Sequence, residues 1–331
     1  MSDAGRLRLA VFGSPAFSVP TLERVAARHD LRLVVAQDDK PAGRKMRPTP
    51  PAAAVWARER GVLLRQPERL KGNEAFLTVL RELDLDVAVT AAYGKILPSA
   101  LLGVPRHGVL NVHASLLPAY RGAAPVQWAL IDGCRETGVS IMQTETGLDT
   151  GPVRHVRRIP IAPDDDAATL MEKLAHLGAD ALEEALDMLA RGALPSVPQD
   201  DDAATYAPRL TRDDGRVRWH EPGGRILDRH RGVAIWPGSW TTVDGDDLKV
   251  HDMAIATGRG DEAPGVPPGV SPGHGEGRDP GTITAIDAHG VHVATADGTI
   301  VVREVQAPSR ARTPAAAWAR GARIEPGVTL V

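Results

Sequence analysis

The sequence predicts an α/β protein: a doubly wound, mostly parallel sheet followed by a small antiparallel β-barrel. Three observations carry that expectation. Apolar strands alternate with helical stretches over the first half, the pattern of parallel strands joined by helical crossovers. A polar, Pro-rich stretch from Leu194 to Asp214 then interrupts the pattern. Beyond it come short runs of alternating apolar and polar residues separated by turns such as Asp244-Gly245 and Asp297-Gly298, which belong to hairpins rather than crossovers.

Taken in order, Leu7 to Phe12 forms the first strand and Gly13-Ser14-Pro15 its turn. Pro20 to Arg28 has helical spacing, and Leu31 to Ala36 is the second strand. The turn is not Gly-x-Gly-x-x-Gly and no Walker-type Gly-Lys-Ser/Thr run occurs, so dinucleotide and nucleoside triphosphate binding have little support. Asp38 to Pro51 is a Pro-rich loop carrying Lys40, Arg44, Lys45 and Arg47. Composition alone reads it as a solvated surface loop. Ala52 to Arg60 is helical, Asn73 caps a helix reaching Glu82, and Val87 to Ala91 is a buried strand that exits through Tyr93-Gly94. Val109-Leu110 opens a further strand that runs on into polar residues. Ala168 to Leu189 places Leu170, Leu174, Leu177, Leu182, Leu186 and Leu189 on one helical stripe, closing the first domain. The expected division is residues 1–194, a linker at 195–214, and a second domain at 215–331. In the latter, Trp240 to Val243, Leu248 to Val250, Thr282 to Thr284, Val291 to Val293 and Thr299 to Val302 read as strands. Residues 258–281 hold 13 Gly or Pro in 24 positions, the composition of a mobile insertion.

A chain of 331 residues is ample for two cores. It has no run of ~18 apolar residues and no apolar leader after Met1, so a cytoplasmic protein without membrane contact is expected. Cys134 is the only cysteine, which excludes an intrachain disulfide and a thiolate metal cluster. Asp164, Asp165 and Asp166 precede a helix, where its dipole favours acids, and His289 and His292 fall on opposite faces of a strand. No metal is expected from either group. The net charge of -3 means that any nucleic-acid contact must come from local patches.

The chemistry concentrates between Leu110 and Gly151. Strand alternation puts Asn111 and His113 on one face, so an amide and an imidazole enter the same space. Asp149 lies between Gly147 and Gly151, where a tight turn aims its carboxylate back at that imidazole. Ligands of open α/β sheets bind beyond the carboxyl ends of strands, which makes Tyr93-Gly94 and Asn111-His113 candidates for one crevice. An isolated Asn or His is more often a satisfied core polar group. The trio, lacking a Ser or Cys nucleophile, suits a reaction whose nucleophile arrives with the substrate, with the amide and a protonated imidazole donating to an oxyanion. One such donor is worth ~3 kcal/mol of barrier.

These residues carry a resemblance. Asn111-Val112-His113-Ala114-Ser115-Leu116-Leu117-Pro118 together with Gly147-Leu148-Asp149-Thr150-Gly151 is similar to the signature of the 10-formyltetrahydrofolate-dependent formyltransferases. Tyr120 to Gln127, Glu136 to Met142 and Pro41-Ala42-Gly43-Arg44 narrow the likeness to the branch that acts on methionyl-tRNA. The resemblance implies a Rossmann-like catalytic domain, an oligonucleotide-binding barrel, and formyl transfer to the methionine amine of initiator tRNA. In its terms Asn111 and His113 polarise the formyl oxygen, while Asp149 holds His113 and assists proton removal from the amine. Ser115, Leu116, Leu117, Pro118, Tyr93, Gly94 and Leu148 form the folate pocket, with neither a metal nor an obligate protein partner. Arg44 inherits a contact to the tRNA acceptor arm, with Lys45 and Arg47 beside it. Two features depart from the family pattern. The loop after Arg44 is tighter, and residues 212–331 carry 14 Lys or Arg against 16 Asp or Glu where such domains are usually basic. Positive charge is local there: five Arg against Glu304 between Arg303 and Arg323. Arg303, Arg310 and Arg312, with Arg209, Arg229 and Arg231, are therefore the expected tRNA-facing surface. Two other readings remain: formylation of a small amine, or hydrolysis of the donor, at the same site; and a non-catalytic nucleic-acid-binding protein, which leaves Asn111, His113 and Asp149 without a task.

Overall fold

The computed structural model describes residues 6–42, 47–256 and 278–331. Strand β1 (Arg8–Gly13) buries Leu9, Ala10, Val11 and Phe12 completely, as a strand covered on both faces requires. Gly13 is needed at its end, because a Cβ there would meet Ser18 Cβ at 2.4 Å. Helix α1 (Val19–Arg28) follows, with Pro20 in the first turn, where its missing N–H costs no hydrogen bond. Strand β2 (Asp30–Val35) pairs parallel to β1. Strands β3 (Lys40–Ala42) and β4 (Arg47–Thr49) pair antiparallel as a separate ribbon. The basic stretch read as a loop therefore contains paired backbone; Arg44 and Lys45 lie outside the described residues, and Arg47 is exposed.

Helix α2 (Ala52–Glu59) and strand β5 (Leu64–Arg65) come next. The Asn73 side chain caps α3 (Glu74–Glu82) by accepting the Phe76 N–H at 3.0 Å. Then come β6 (Val87–Ala91), α4 (Ser99–Leu102), β7 (Val109–His113), β8 (Arg121–Gly122), α5 (Pro125–Ile131), β9 (Glu136–Gln143), β10 (Val153–Pro160), α6 (Ala167–Ala190) and β11 (Tyr206–Ala207). The main sheet has the order β10-β9-β7-β6-β1-β2-β5. Five strands, from β7 to β5, are mutually parallel, and β9 and β10 add antiparallel pairs at one edge.

Ion pairing sets the start of two central strands. The Arg8 guanidinium donates to both Asp86 carboxylate oxygens and holds that carboxyl well below the usual range, at about 2. The strand order reverses between β1 and β6, the point where ligands of open sheets usually bind. Protein groups occupy part of it. The Gln37 amide donates to the Tyr93 carbonyl at 2.6 Å, and the Ser14 hydroxyl accepts the Gln37 N–H at 3.1 Å. One face of β7 is closed by α6, for a Cβ on Gly178 would meet Val112 Cγ1 at 2.7 Å. Asn111 and His113 project from the opposite face.

The expected linker differs from what the structure shows. Residues 195–209 belong to the first of two compact units, and Leu210 onward to the second. Val197 and Val153 exchange backbone hydrogen bonds at 2.8 and 2.9 Å, and β11 pairs parallel to β8. Pro and Asp in 195–209 rule out long regular elements but do not prevent the segment from supplying backbone partners to β8.

The second unit contains α7 (Gly223–Gly232), β12 (Ser239–Val243), β13 (Asp246–Ile255), β14 (Ile283–Ile286), β15 (Val291–Ala294), β16 (Thr299–Gln306), β17 (Thr313–Pro314) and α8 (Ala315–Ala322). Its sheet runs β12-β13-β16-β15-β14, with β17 paired to β16. The C-terminal residues join the two edges. Val331 exchanges backbone hydrogen bonds with Thr242 in β12, and Val328 and Leu330 pair with Ile283 and Gly281 beside β14. The sheet is thereby closed into a barrel around Val217, Trp219, Ile226, Val250, Val293 and Val305. Residues 258–277 of the Gly/Pro-rich stretch lie outside the described residues.

Candidate active site

Asn111 and His113 stand on adjacent same-face positions of β7, and the neighbouring strands fix what each can do. Parallel register sets Thr90 of β6 opposite Asn111, and the Thr90 hydroxyl donates to Asn111 Oδ1 at 2.7 Å. With its oxygen engaged, the amide keeps its Nδ2 hydrogens for another acceptor. Sequence reasoning missed Thr90; its one signal was a hydroxyl inside the apolar run Val87 to Ala91. Thr90→Val keeps the shape and removes this donor. Loss of one hydrogen bond of about 1 kcal/mol predicts a roughly 3- to 10-fold lower kcat with the thermal midpoint nearly unchanged, measured by steady-state turnover beside calorimetry.

His113 is buried, with its Nε2 2.9 Å from the Tyr120 carbonyl. A carbonyl only accepts, so Nε2 carries a proton. The other nitrogen, Nδ1, lies 3.7 Å from Asp149 Oδ2. That carboxylate oxygen accepts the Gly122 N–H at 2.9 Å, and Gly122 admits no side chain, since a Cβ would meet the Ala207 carbonyl oxygen at 2.7 Å. Asp149 occupies the left-handed region at φ 53°, where Asp is tolerated better than most residues. Gly151 closes the turn, because a Cβ there would collide with the Gln143 carbonyl oxygen at 1.9 Å. The imidazole thus faces a fixed carboxylate across a gap wider than a hydrogen bond. Nε2 is committed to the Tyr120 carbonyl, and Nδ1 is the ring atom that faces the carboxylate.

The residues assigned to the folate pocket divide in two. Gly94 and Leu148 are exposed, and Leu116, Leu117 and Pro118 are partly exposed. Ser115 and Tyr93 are not at a surface. The Ser115 hydroxyl is fully buried and donates to the Ala119 carbonyl at 2.6 Å, while Ser140 bridges the Ser115 carbonyl and the Leu117 N–H. Ser115 therefore shapes the turn instead of presenting a donor. The Tyr93 ring packs edge-on against Phe12 at 5.5 Å in the apolar core, and burial pushes its phenol pKa up. Directly after Gly94, Lys95 and Ile96 line a pocket of about 360 Å³ with Arg69, Leu70 and Lys71. No sequence motif announced that pocket, because Arg69 and Lys71 come from the turn before α3.

The basic residues also divide. Arg209, Arg303, Arg310 and Arg312 are exposed. Arg229 is 8% exposed, 3.8 Å from Glu221, with burial lowering its pKa, so its place on a tRNA-facing surface is corrected: it is a core cation of the second unit. Helical periodicity turned it inward. Arg231 is half-buried and bound to Asp228 and the Asp165 carbonyl. Among the described residues no cluster of three or more His, Cys, Asp or Glu could hold a metal, and no helix is long and apolar enough to cross a membrane.

Comparison with known proteins identifies the lineage. The formyl transferase profile matches residues 7–186, and the profile of the formyl transferase C-terminal domain matches residues 209–323. The methionyl-tRNA formyltransferase of Deinococcus radiodurans is 43% identical over 327 residues, covering 99% of this chain and 96% of that one. The methionyl-tRNA formyltransferase of Thermus thermophilus is 44% identical over 324 residues, covering 98% and 99%. Among solved structures, the N-formyltransferase of Helicobacter canadensis in complex with folinic acid and dTDP-3-aminofucose gives a TM-score of 0.66 at 15% identity, covering 89% of this chain and 98% of that one, a likeness of fold. The profile matches, and identity above two-fifths across nearly the whole of both chains, establish that this protein belongs to the formyl transferase family, as a formyl-transferring enzyme.

Proposed function

We propose that this enzyme transfers the formyl group of 10-formyltetrahydrofolate to the α-amino group of methionine on initiator tRNA. The observation that carries the reading is the site itself. An amide donor at Asn111 and a proton-handling pair at His113 and Asp149 share it, while the Ser115 and Thr90 hydroxyls are both committed to protein carbonyl oxygens. The choice of acceptor is supported by near-full-length likeness to proteins named for methionyl-tRNA.

The residues present suit the donor. Folate combines a flat ring with an anionic glutamate end. Exposed Ile96 and Leu148, with Leu116, Leu117 and Pro118, offer apolar surface, and Arg69, Lys71 and Lys95 bring positive charge to the pocket that Ile96 also lines. When bound, the donor supplies an electrophilic formyl carbonyl, and the nucleophile is the methionyl amine. Asn111 Nδ2, oriented through Thr90, donates to the oxygen on which negative charge builds. His113 Nδ1 and Asp149 take up the proton that the amine must lose, with Tyr120 holding the far side of the ring. Exposed Arg209, Arg303, Arg310 and Arg312 provide contacts for phosphates, together with Arg47 and with Arg44 and Lys45, which lie outside the described residues. Such contacts add salt dependence without sequence preference.

The test offers the protein 10-formyltetrahydrofolate with charged initiator tRNA, free methionine, or amino-sugar nucleotides. Formyl-methionyl-tRNA is the expected product, at rates falling steeply between about 50 and 200 mM salt. Formylation of a sugar amine alone would replace this reading with the small-amine alternative.

A further inference from the structure

We infer that Gln199 is a positioning residue for Asp149, held in its working orientation by the buried guanidinium of Arg121; the inference rests on Asp149 being the acid of the proposed formyl transfer. Gln199 lies in the Pro- and Asp-rich segment after α6, fifty residues from Asp149 in sequence. Its Nε2 donates to two backbone carbonyls of the catalytic turn, Asp149 O at 2.8 Å and Gly151 O at 2.7 Å. Its Oε1 accepts from Arg121 Nε at 3.0 Å. Arginine has donors only, so the guanidinium admits just one of the two amide orientations: oxygen toward Arg121, hydrogens toward the turn. The reverse would set an NH2 against a cation and an oxygen against two carbonyls.

Arg121 is fixed in its own right. It is 2% exposed, its backbone N–H donates to the Thr205 carbonyl at 2.8 Å, and its Nη2 reaches exposed Asp201 at 2.7 Å. The next residue, Gly122, gives its N–H to the Asp149 carboxylate. Two adjacent residues of β8 therefore grip the acid from both ends: Gly122 its carboxylate directly, Arg121 its backbone through Gln199. This grip matters because Asp149 sits at positive φ, a conformation that side chains other than glycine adopt only at an energetic cost. Without the two donors the turn is free to relax, and an acid displaced by about 1 Å loses on the order of 100-fold in rate.

Gln199→Glu is the discriminating variant. It keeps the size of the side chain and its contact with Arg121 but has no N–H for the turn. The expected result is a kcat for formyl transfer roughly 10- to 100-fold lower, with KM for the folate donor and for methionyl-tRNA each within about twofold of native. A double-mutant cycle localises the effect. In an Asp149→Asn background the same substitution should cost less than about twofold, since the group it positions is already disabled. Native kcat in Gln199→Glu, or an equal loss in both backgrounds, would overturn the inference. Gln199→Ala repeats both measurements should the glutamate variant not fold, because it removes the same donors without adding a charge. Native enzyme in the same assay separates the two readings. Inactivity toward methionyl-tRNA removes the functional proposal and this inference with it, whereas native activity with a silent Gln199→Glu removes this inference alone.

Discussion

Replacing Asn111 by Ala is expected to lower kcat by about 10²- to 10³-fold while leaving the KM for the folate donor close to native. Thr90 binds the oxygen side of the amide, which leaves the Nδ2 side for the substrate. Its donors serve an oxygen that becomes strongly basic only as the formyl carbon is attacked. An interaction made in the transition state and not before it is read in kcat. Asn111→Asp is the sharper partner experiment. Thr90 still donates to one carboxylate oxygen, and the other then faces the developing negative charge, so the loss should equal or exceed that of Ala. Steady-state kinetics at saturating methionyl-tRNA decides it, and kcat values within a few-fold of native would remove Asn111 from the role.

Asp149→Asn is expected to cost a comparable 10²- to 10³-fold in kcat, roughly within the usual reach of general acid–base catalysis. Asn is the right replacement. It accepts the Gly122 N–H as Asp does, and Asn tolerates positive φ, so the turn at φ 53° survives. What it removes is the negative charge facing His113 Nδ1 across 3.7 Å. Asp149→Ala mixes that loss with loss of the Gly122 bond and with strain. Formyl transfer and a thermal melt measured together make the distinction: a low kcat at a native midpoint assigns the effect to the charge, and a native kcat would contradict the mechanism.

The two halves of this site differ in how they were read. Asn111 and His113 were legible because alternation has a period of two, so residues sharing a face can be counted off the chain. Asp149 was legible through its glycines: Gly147 and Gly151 both leave too little space for a Cβ, as a turn folding back on itself demands. Thr90, Tyr120, Arg121 and Gln199 were not legible as working parts. Nothing local in Val87 to Ala91 says that β7 lies beside it in a register setting Thr90 against Asn111. Nothing in Leu194 to Asp214 says that one glutamine returns to the catalytic turn. The same limit misplaced Arg229, counted as surface charge though helical phase sends it into the core, and Ser115, a motif residue whose hydroxyl belongs to its own turn.

Sequence by itself determined the α/β sheet followed by a closed antiparallel barrel, the strand carrying amide and imidazole, and the glycine-bounded acid, all properties of periodicity and of backbone conformations that only certain residues adopt. Tertiary structure alone decided which nitrogen of His113 meets the Tyr120 carbonyl and which faces Asp149, which side of the Asn111 amide Thr90 engages, and which groups bond to the Asp149 turn. Each depends on a hydrogen bond between segments far apart in sequence, and such bonds are set by strand order and register, which local patterning does not encode.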